Sequence, residues 1–212
     1  MEMAQDLYIP HSKIINEVQQ LVQDTASELL YQHSSRVYHW GALAAKQRKI
    51  DVDHELLYIA CMFHDLGLTE QYCSCDKRFE VDGADAAATF MKDHGFSQSD
   101  IDKVWTAIAL HTTPGIPEFM AAEIALVTAG VEMDVLGLKY DTYTKEEREA
   151  VTNLHPRELG FKEKIIQTFY DGIKHKPDTT FGNVKADVIA DKQLGFQKIN
   201  FCSIIRNSKW SS

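Results

Sequence analysis

The chain has 212 residues, 44% of them apolar and 25% charged, enough for one globular domain with a sizeable core. Its net charge is −9 and its 22 Lys and Arg are scattered without a basic run of five, which argues against nucleic acid or an anionic membrane as a partner. No apolar run approaches the roughly 20 residues of a membrane span, and the opening MEMAQDLYIP lacks the basic and apolar regions of a signal peptide, so a cytoplasmic protein is expected.

Taken in chain order, the apolar residues keep a helical period almost throughout. Ile14, Ile15, Val18, Leu21 and Val22 mark a first helix, and a second is expected from about His33 to Arg48. After the short connection KIDVD, a third runs through Leu56, Leu57, Ile59, Ala60 and Phe63 into CMFHDLG at 61–67. A loop is expected over 68–83. Beyond it come Ala84, Ala87, Ala88 and Met91, then, after Gly95 and the Ser97/Asp100 start signal, Ile101, Val104, Trp105 and Ile108. A loop at 112–118 precedes Ile124, Leu126 and Val127. Thr144 with Glu147 matches a capping box, Gly160 reads as punctuation, and Phe161, Ile165, Ile166, Phe169 and Ile173 complete the pattern before a loop at 174–183. About eight helices and no convincing strand give an all-α single domain over 1–212. The four cysteines, Cys61, Cys73, Cys75 and Cys202, lack zinc-ribbon or thioredoxin spacing and read as free thiols.

His64 and Asp65 stand side by side at the end of an apolar segment, where core building calls for neither. The helix from His33 rises roughly 22 Å and the returning helix from His54 to His64 roughly 15 Å. Antiparallel packing across KIDVD therefore brings His33 toward His64, the loop taking up the mismatch. Two imidazoles and a carboxylate meeting in a helical core suit a first-row divalent ion. Asp134, after the apolar run from Ile124 to Val131, is the best fourth ligand, because a buried carboxylate needs a partner.

This order, His33, then His64-Asp65, then Asp134, resembles the signature of the HD superfamily, all-helical metal-dependent hydrolases. The resemblance spans about residues 30–140, with the helices of 145–212 expected to pack on that core. Within the superfamily, HSSRV at 33–37, RFEVDGADAA at 78–87, AIALHTTPGIP at 107–117 and TFGNVKADV at 180–188 resemble the branch of the cyanamide hydratases. The doublet continues with Leu66-Gly67-Leu68, not the Gly-Lys usual in signalling phosphodiesterases of the superfamily.

The resemblance implies one divalent transition metal, zinc, iron, manganese, cobalt or nickel, on His33, His64, Asp65 and Asp134. Asp65 is expected also to take a proton from water. His111, at the mouth of a Thr-Thr-Pro-Gly loop, is expected to contact substrate or water, and His94 to end a helix. Arg36, one turn after His33, orients the Asp ligands or holds an anionic group; Glu80 is expected to move a proton from a loop; Lys185 offers an anion contact. His11, His39, His54, His155 and His175 read as surface or cap residues, and Trp40, Tyr72, Phe79 and Phe181 as candidate pocket walls. The expected partner is a small-molecule substrate, and oligomeric state is not readable. The expected function is hydrolysis of a small phosphoester through a metal-activated water, the chemistry commonest in the superfamily; the alternatives are hydration of a nitrile-type substrate such as cyanamide and a non-catalytic metal-stabilised binding module.

Overall fold

The computed structural model describes residues 7–207. In chain order its α-helices are α1 (Lys13–Thr25), α2 (Glu28–Arg48), α3 (His54–Phe63), α4 (Phe79–Asp93), α5 (Gln98–Leu110), α6 (Ala122–Val131), α7 (Lys145–Leu154), α8 (Phe161–Ile173), α9 (Lys185–Lys192) and α10 (Phe201–Arg206), and no strand occurs among the described residues. Side-chain caps start several of them: Ser12, Ser27, Asp53 and Ser97 accept from backbone amides, and Thr144 with Glu147 closes a full capping box.

The arrangement follows from α3. Its sequence LLYIACMF is apolar on every side, and each residue from Leu56 to Phe63 is buried. A helix of that kind has to be surrounded. Helices α1, α2, α4, α5 and α6 all pack against it, and at about 1.5–3 kcal/mol per fully buried large apolar side chain this is the principal source of stability. A second layer leans on α2. Val151 of α7 joins Trp40, Leu43, Met133 and Tyr143, while Phe161, Ile165 and Phe169 of α8 meet Leu29 and Leu30. Ile189 of α9 closes over Phe79 and Ile173.

Several expectations change. Helix α2 begins at Glu28, capped by Ser27, so His33 lies in its second turn and not at its start. The loop expected over 68–83 ends at Phe79, which puts Glu80 in the first turn of α4. Gly83, inside α4, is a close approach: a Cβ there would stand 2.9 Å from the Phe63 carbonyl oxygen. Helices α9 and α10 add to the expected eight; at eight and six residues they are too short for a period to show. The packing expected of 145–212 runs through α9 to Phe196, whereas every residue of α10 is exposed, and residues 208–212 lie outside the described ones.

His39 is corrected from a surface or cap position to a buried one, and His155, which does cap the end of α7, is buried as well. Helix α2 is covered on several sides, so even its polar residues go inside, and the two rings stack with centroids 5.2 Å apart. Burial pushes His39 down to about 3, and burial with the nearby Arg36 charge pushes His155 down to about 4.

Helices α2 and α6 meet so closely that a Cβ on Gly130 would stand 2.2 Å from the Val37 carbonyl oxygen. Gly130→Ala should therefore destabilise the protein by about 2 kcal/mol in urea denaturation, as overpacking does. The buried histidines give a pH dependence. The unfolded chain protonates them as pH falls through about 6.5 while the folded chain resists until about 4 and 3, so stability declines on acidification. His39→Phe should lose less stability between pH 7 and pH 5 than the parent, read from urea midpoints at the two values.

Candidate metal centre

Four side chains converge where α3 ends. His64 caps α3 and Asp65 follows it, His33 comes from α2, and His111 caps α5; all four are buried. Hydrogen-bond partners fix the ring tautomers. Nδ1 of His64 donates to the Cys61 carbonyl at 2.6 Å, Nδ1 of His111 to the Ile108 carbonyl at 2.6 Å, and Nδ1 of His33 to Asp134 Oδ2 at 2.7 Å. Each neutral ring thus presents a bare lone pair at Nε2.

Those lone pairs face Asp65. Nε2 of His64 and of His33 lie 3.4 and 3.5 Å from its Oδ2, and Nε2 of His111 lies 3.5 Å from its Oδ1. The His33 and His64 nitrogens are themselves 3.2 Å apart. Neither Asp65 oxygen has a hydrogen-bond partner. Lone pairs and a carboxylate buried face to face repel unless a cation joins them, and imidazole with carboxylate is the donor set of zinc and its neighbours. One ligand atom from each of His33, His64 and Asp65 lies within 4.8 Å of the others, the span of an ion's coordination shell, and His111 approaches from the Oδ1 side. In the electrostatics, burial lowers His33 and His111; at His64 burial also acts downward, but the Asp65 carboxylate outweighs it and raises the ring.

Asp134, expected as the fourth ligand, stands one ring behind the cluster. It lies in a π-turn over Glu132–Leu136 and is gripped by protein donors. Besides His33, its Oδ1 accepts from Arg36 Nε at 2.8 Å, Trp40 Nε1 at 3.0 Å and Arg157 Nη1 at 3.0 Å, and its Oδ2 accepts from Arg36 Nη2 at 3.0 Å. The physical reason is in α2: His33, Arg36 and Trp40 follow the i, i+3, i+7 spacing and point to one side. Burial alone would raise the Asp134 carboxyl, but the His33 bond and the Arg36 charge hold it well below the usual carboxylate range.

Arg36 is correspondingly not a substrate contact. It is fully buried, and beyond Asp134 it donates to the carbonyls of His155 and Pro156 at 3.2 and 2.8 Å. Trp40 is likewise drawn to Asp134 and does not wall a pocket over the cluster. Glu80 is buried and accepts from Arg78 Nη2 at 2.9 Å and from the Thr112 hydroxyl. Burial would raise its carboxyl; the Arg78 bond and the His111 ring outweigh that and lower it.

Lys185, the first residue of α9, does reach the site. Its Nζ lies 3.5 Å from the Phe169 ring centroid with no carboxylate bonded to it, and burial lowers its ammonium. It lines a cavity over the cluster with His33, His64, Asp65, His111 and Thr112. Phe79 packs its ring against His111, with centroids 5.6 Å apart, while Phe181 is exposed and Tyr72 lines a separate cleft. Sequence reasoning missed Arg157 and Thr112. Arg157 sits in an irregular connection with no periodicity to place it, and Thr112 was signalled only by following His111.

His64→Ala should reduce bound transition metal from about one equivalent to near zero by elemental analysis, without loss of helical circular dichroism. Asp134→Asn should weaken metal binding by about 10- to 100-fold in a chelator competition titration without abolishing it, as for a residue that orients a ligand.

No curated protein matches the chain. The HD-domain profile matches residues 30–155, which include His33, His64, Asp65, His111 and Asp134. That span is more than half of the sequence, and the chain belongs to the HD-domain family, whose members are all-α and generally metal-dependent hydrolases.

Proposed function

We propose that this chain adds water to a small, uncharged substrate with a polarised carbon–nitrogen multiple bond, cyanamide being the model compound of the branch its motifs resemble. The observation that carries this reading is the cavity over the metal centre. Its volume is about 160 Å³, whereas pockets for drug-sized ligands begin at about 300 Å³. Val131, Val135, Leu136, Phe169 and Val184 give it hydrocarbon walls. Of the cations that could meet a phosphate, Arg36 is bonded to Asp134 and Arg78 to Glu80, which leaves Lys185.

His33, His64, Asp65 and His111 would hold the metal, which when bound acidifies water and polarises the bond under attack. The protein's own part is order and proton movement. Backbone carbonyls and Asp134 lock the three rings, so their Nε2 atoms need no reorganisation. The apolar walls keep bulk water from the reacting bond. Hydration of cyanamide forms one C–O bond, breaks one C–N π bond and requires one proton at the nitrogen. Lys185 Nζ, its proton loosened by burial, supplies it, and Glu80, reached through the Thr112 hydroxyl, accepts the proton that water gives up.

The unpaired Lys185 ammonium also favours a second reading, hydrolysis of a small phosphomonoester. Assays of urea formation from cyanamide and of phosphate release from small phosphoesters, on the metal-loaded chain, separate the two. Urea formation is expected, with loss in His64→Ala and a kcat lower by about a hundredfold in Lys185→Met at unchanged metal content. Phosphate release without urea would replace the first reading by the second. Turnover of neither substrate with any of the five metals would leave a metal-stabilised binding module.

A further inference from the structure

Behind the metal centre, across the π-turn from the substrate cavity, lies a second cleft of about 610 Å³. The turn is the wall between them: Val135 and Leu136 line both spaces, and Asp134 lies in the second. Its charge runs against that of the chain. On a protein of net charge −9, this cleft gathers Lys145, Arg148, Arg157 and Lys162, facing only Asp134 and Glu149.

The counter-charges do not suffice. Asp134 answers two guanidiniums at once, Arg36 and Arg157. Lys145 has Glu149 at 3.6 Å on the surface. Arg148 donates to the carbonyls of Tyr140 and Tyr143 and to no carboxylate, and Lys162 has no ion-pair partner among the described residues. Arg148, Lys162 and one of the two guanidiniums on Asp134 are thus left without a counter-ion. Like charges gathered this way raise the local concentration of anions.

The two cleft arginines are also held in place. Arg157 lies 4.1 Å over the Phe161 ring and Arg148 4.0 Å over the Tyr140 ring. Stacking fixes the planes of the guanidiniums, so less freedom is lost when their remaining N–H groups meet a planar or tetrahedral oxyanion. About a third of the Arg157 side chain is open to solvent (32%), so the group is reachable.

We propose that this cleft is a binding site for a phosphate monoester, separate from the substrate cavity and independent of which substrate that cavity takes. The volume favours an ester over free phosphate: about 610 Å³ is more than the anion alone fills, and Tyr140 and Thr152 line the cleft beside the cations.

The test is isothermal titration calorimetry of the metal-loaded full chain with phenyl phosphate and with inorganic phosphate, at fixed ionic strength. Phenyl phosphate is expected to bind more tightly than inorganic phosphate. Arg148→Gln and Lys162→Gln should each weaken it by about tenfold, the size of one charge-assisted hydrogen bond. Lys162 makes no hydrogen bond or ion pair among the described residues, so its variant tests the site without threatening the fold. Binding should persist in His64→Ala. Absence of binding at millimolar phenyl phosphate, or affinity unchanged in both variants, would overturn the site. Loss of binding in His64→Ala would move the anion to the metal centre and overturn it as well. Equal affinity for the two probes would overturn the ester as occupant.

Discussion

One buried carboxylate holds the functional half of this molecule together. Asp134 takes hydrogen bonds from His33, Arg36 and Trp40 of α2 and from Arg157 in the connection before α8, so a single side chain ties three parts of the fold. Removing one partner from such a buried network costs about 3–5 kcal/mol, because the charges left behind have no water. The same bonds fix which His33 nitrogen carries a proton, and hence which one faces Asp65. Fold stability and ligand orientation are one interaction at this point.

The cluster that Asp134 supports is itself unfavourable in the bare protein. Three imidazole lone pairs converge on a carboxylate without a hydrogen bond, at the end of a helix whose residues from Leu56 to Phe63 are all buried and apolar. The surrounding core tolerates this because α3 is held on all sides and cannot open to relieve it. A cation placed among these groups removes the repulsion, so metal binding and folding free energy add.

Much of this could be read in the sequence, and the parts that could not have physical causes. The all-α architecture was legible because long amphipathic segments announce themselves, and the His64-Asp65 doublet because nothing about a core requires it. His111 could be suspected from its position at the end of α5. The role of Asp134 could not be assigned, since ligation and orientation of a ligand ask for the same residue type at the same distance along the chain. They differ only in which side of His33 the carboxylate approaches, and that depends on Arg36 and Trp40 reaching it together. The surface or cap reading of His39 failed for a related reason: residue type suggests exposure, but α2 is enclosed by neighbours that are remote in sequence. Short α9 and α10 left no period to detect, although Lys185 on α9 completes the cavity.

The π-turn at Glu132–Leu136 sets a further condition on this chain. It is one turn thick, it carries one residue more than an α-helical turn would, and it divides the substrate cavity from the cationic cleft. An α-helix advances about 100° per residue, so losing or gaining a single residue here would swing the following chain away from its contacts while leaving the helix before it intact. Side-chain identity at Val135 or Leu136 is open to change within the limits of a hydrocarbon wall. Segment length is not, and a deletion here is a graver event than almost any substitution.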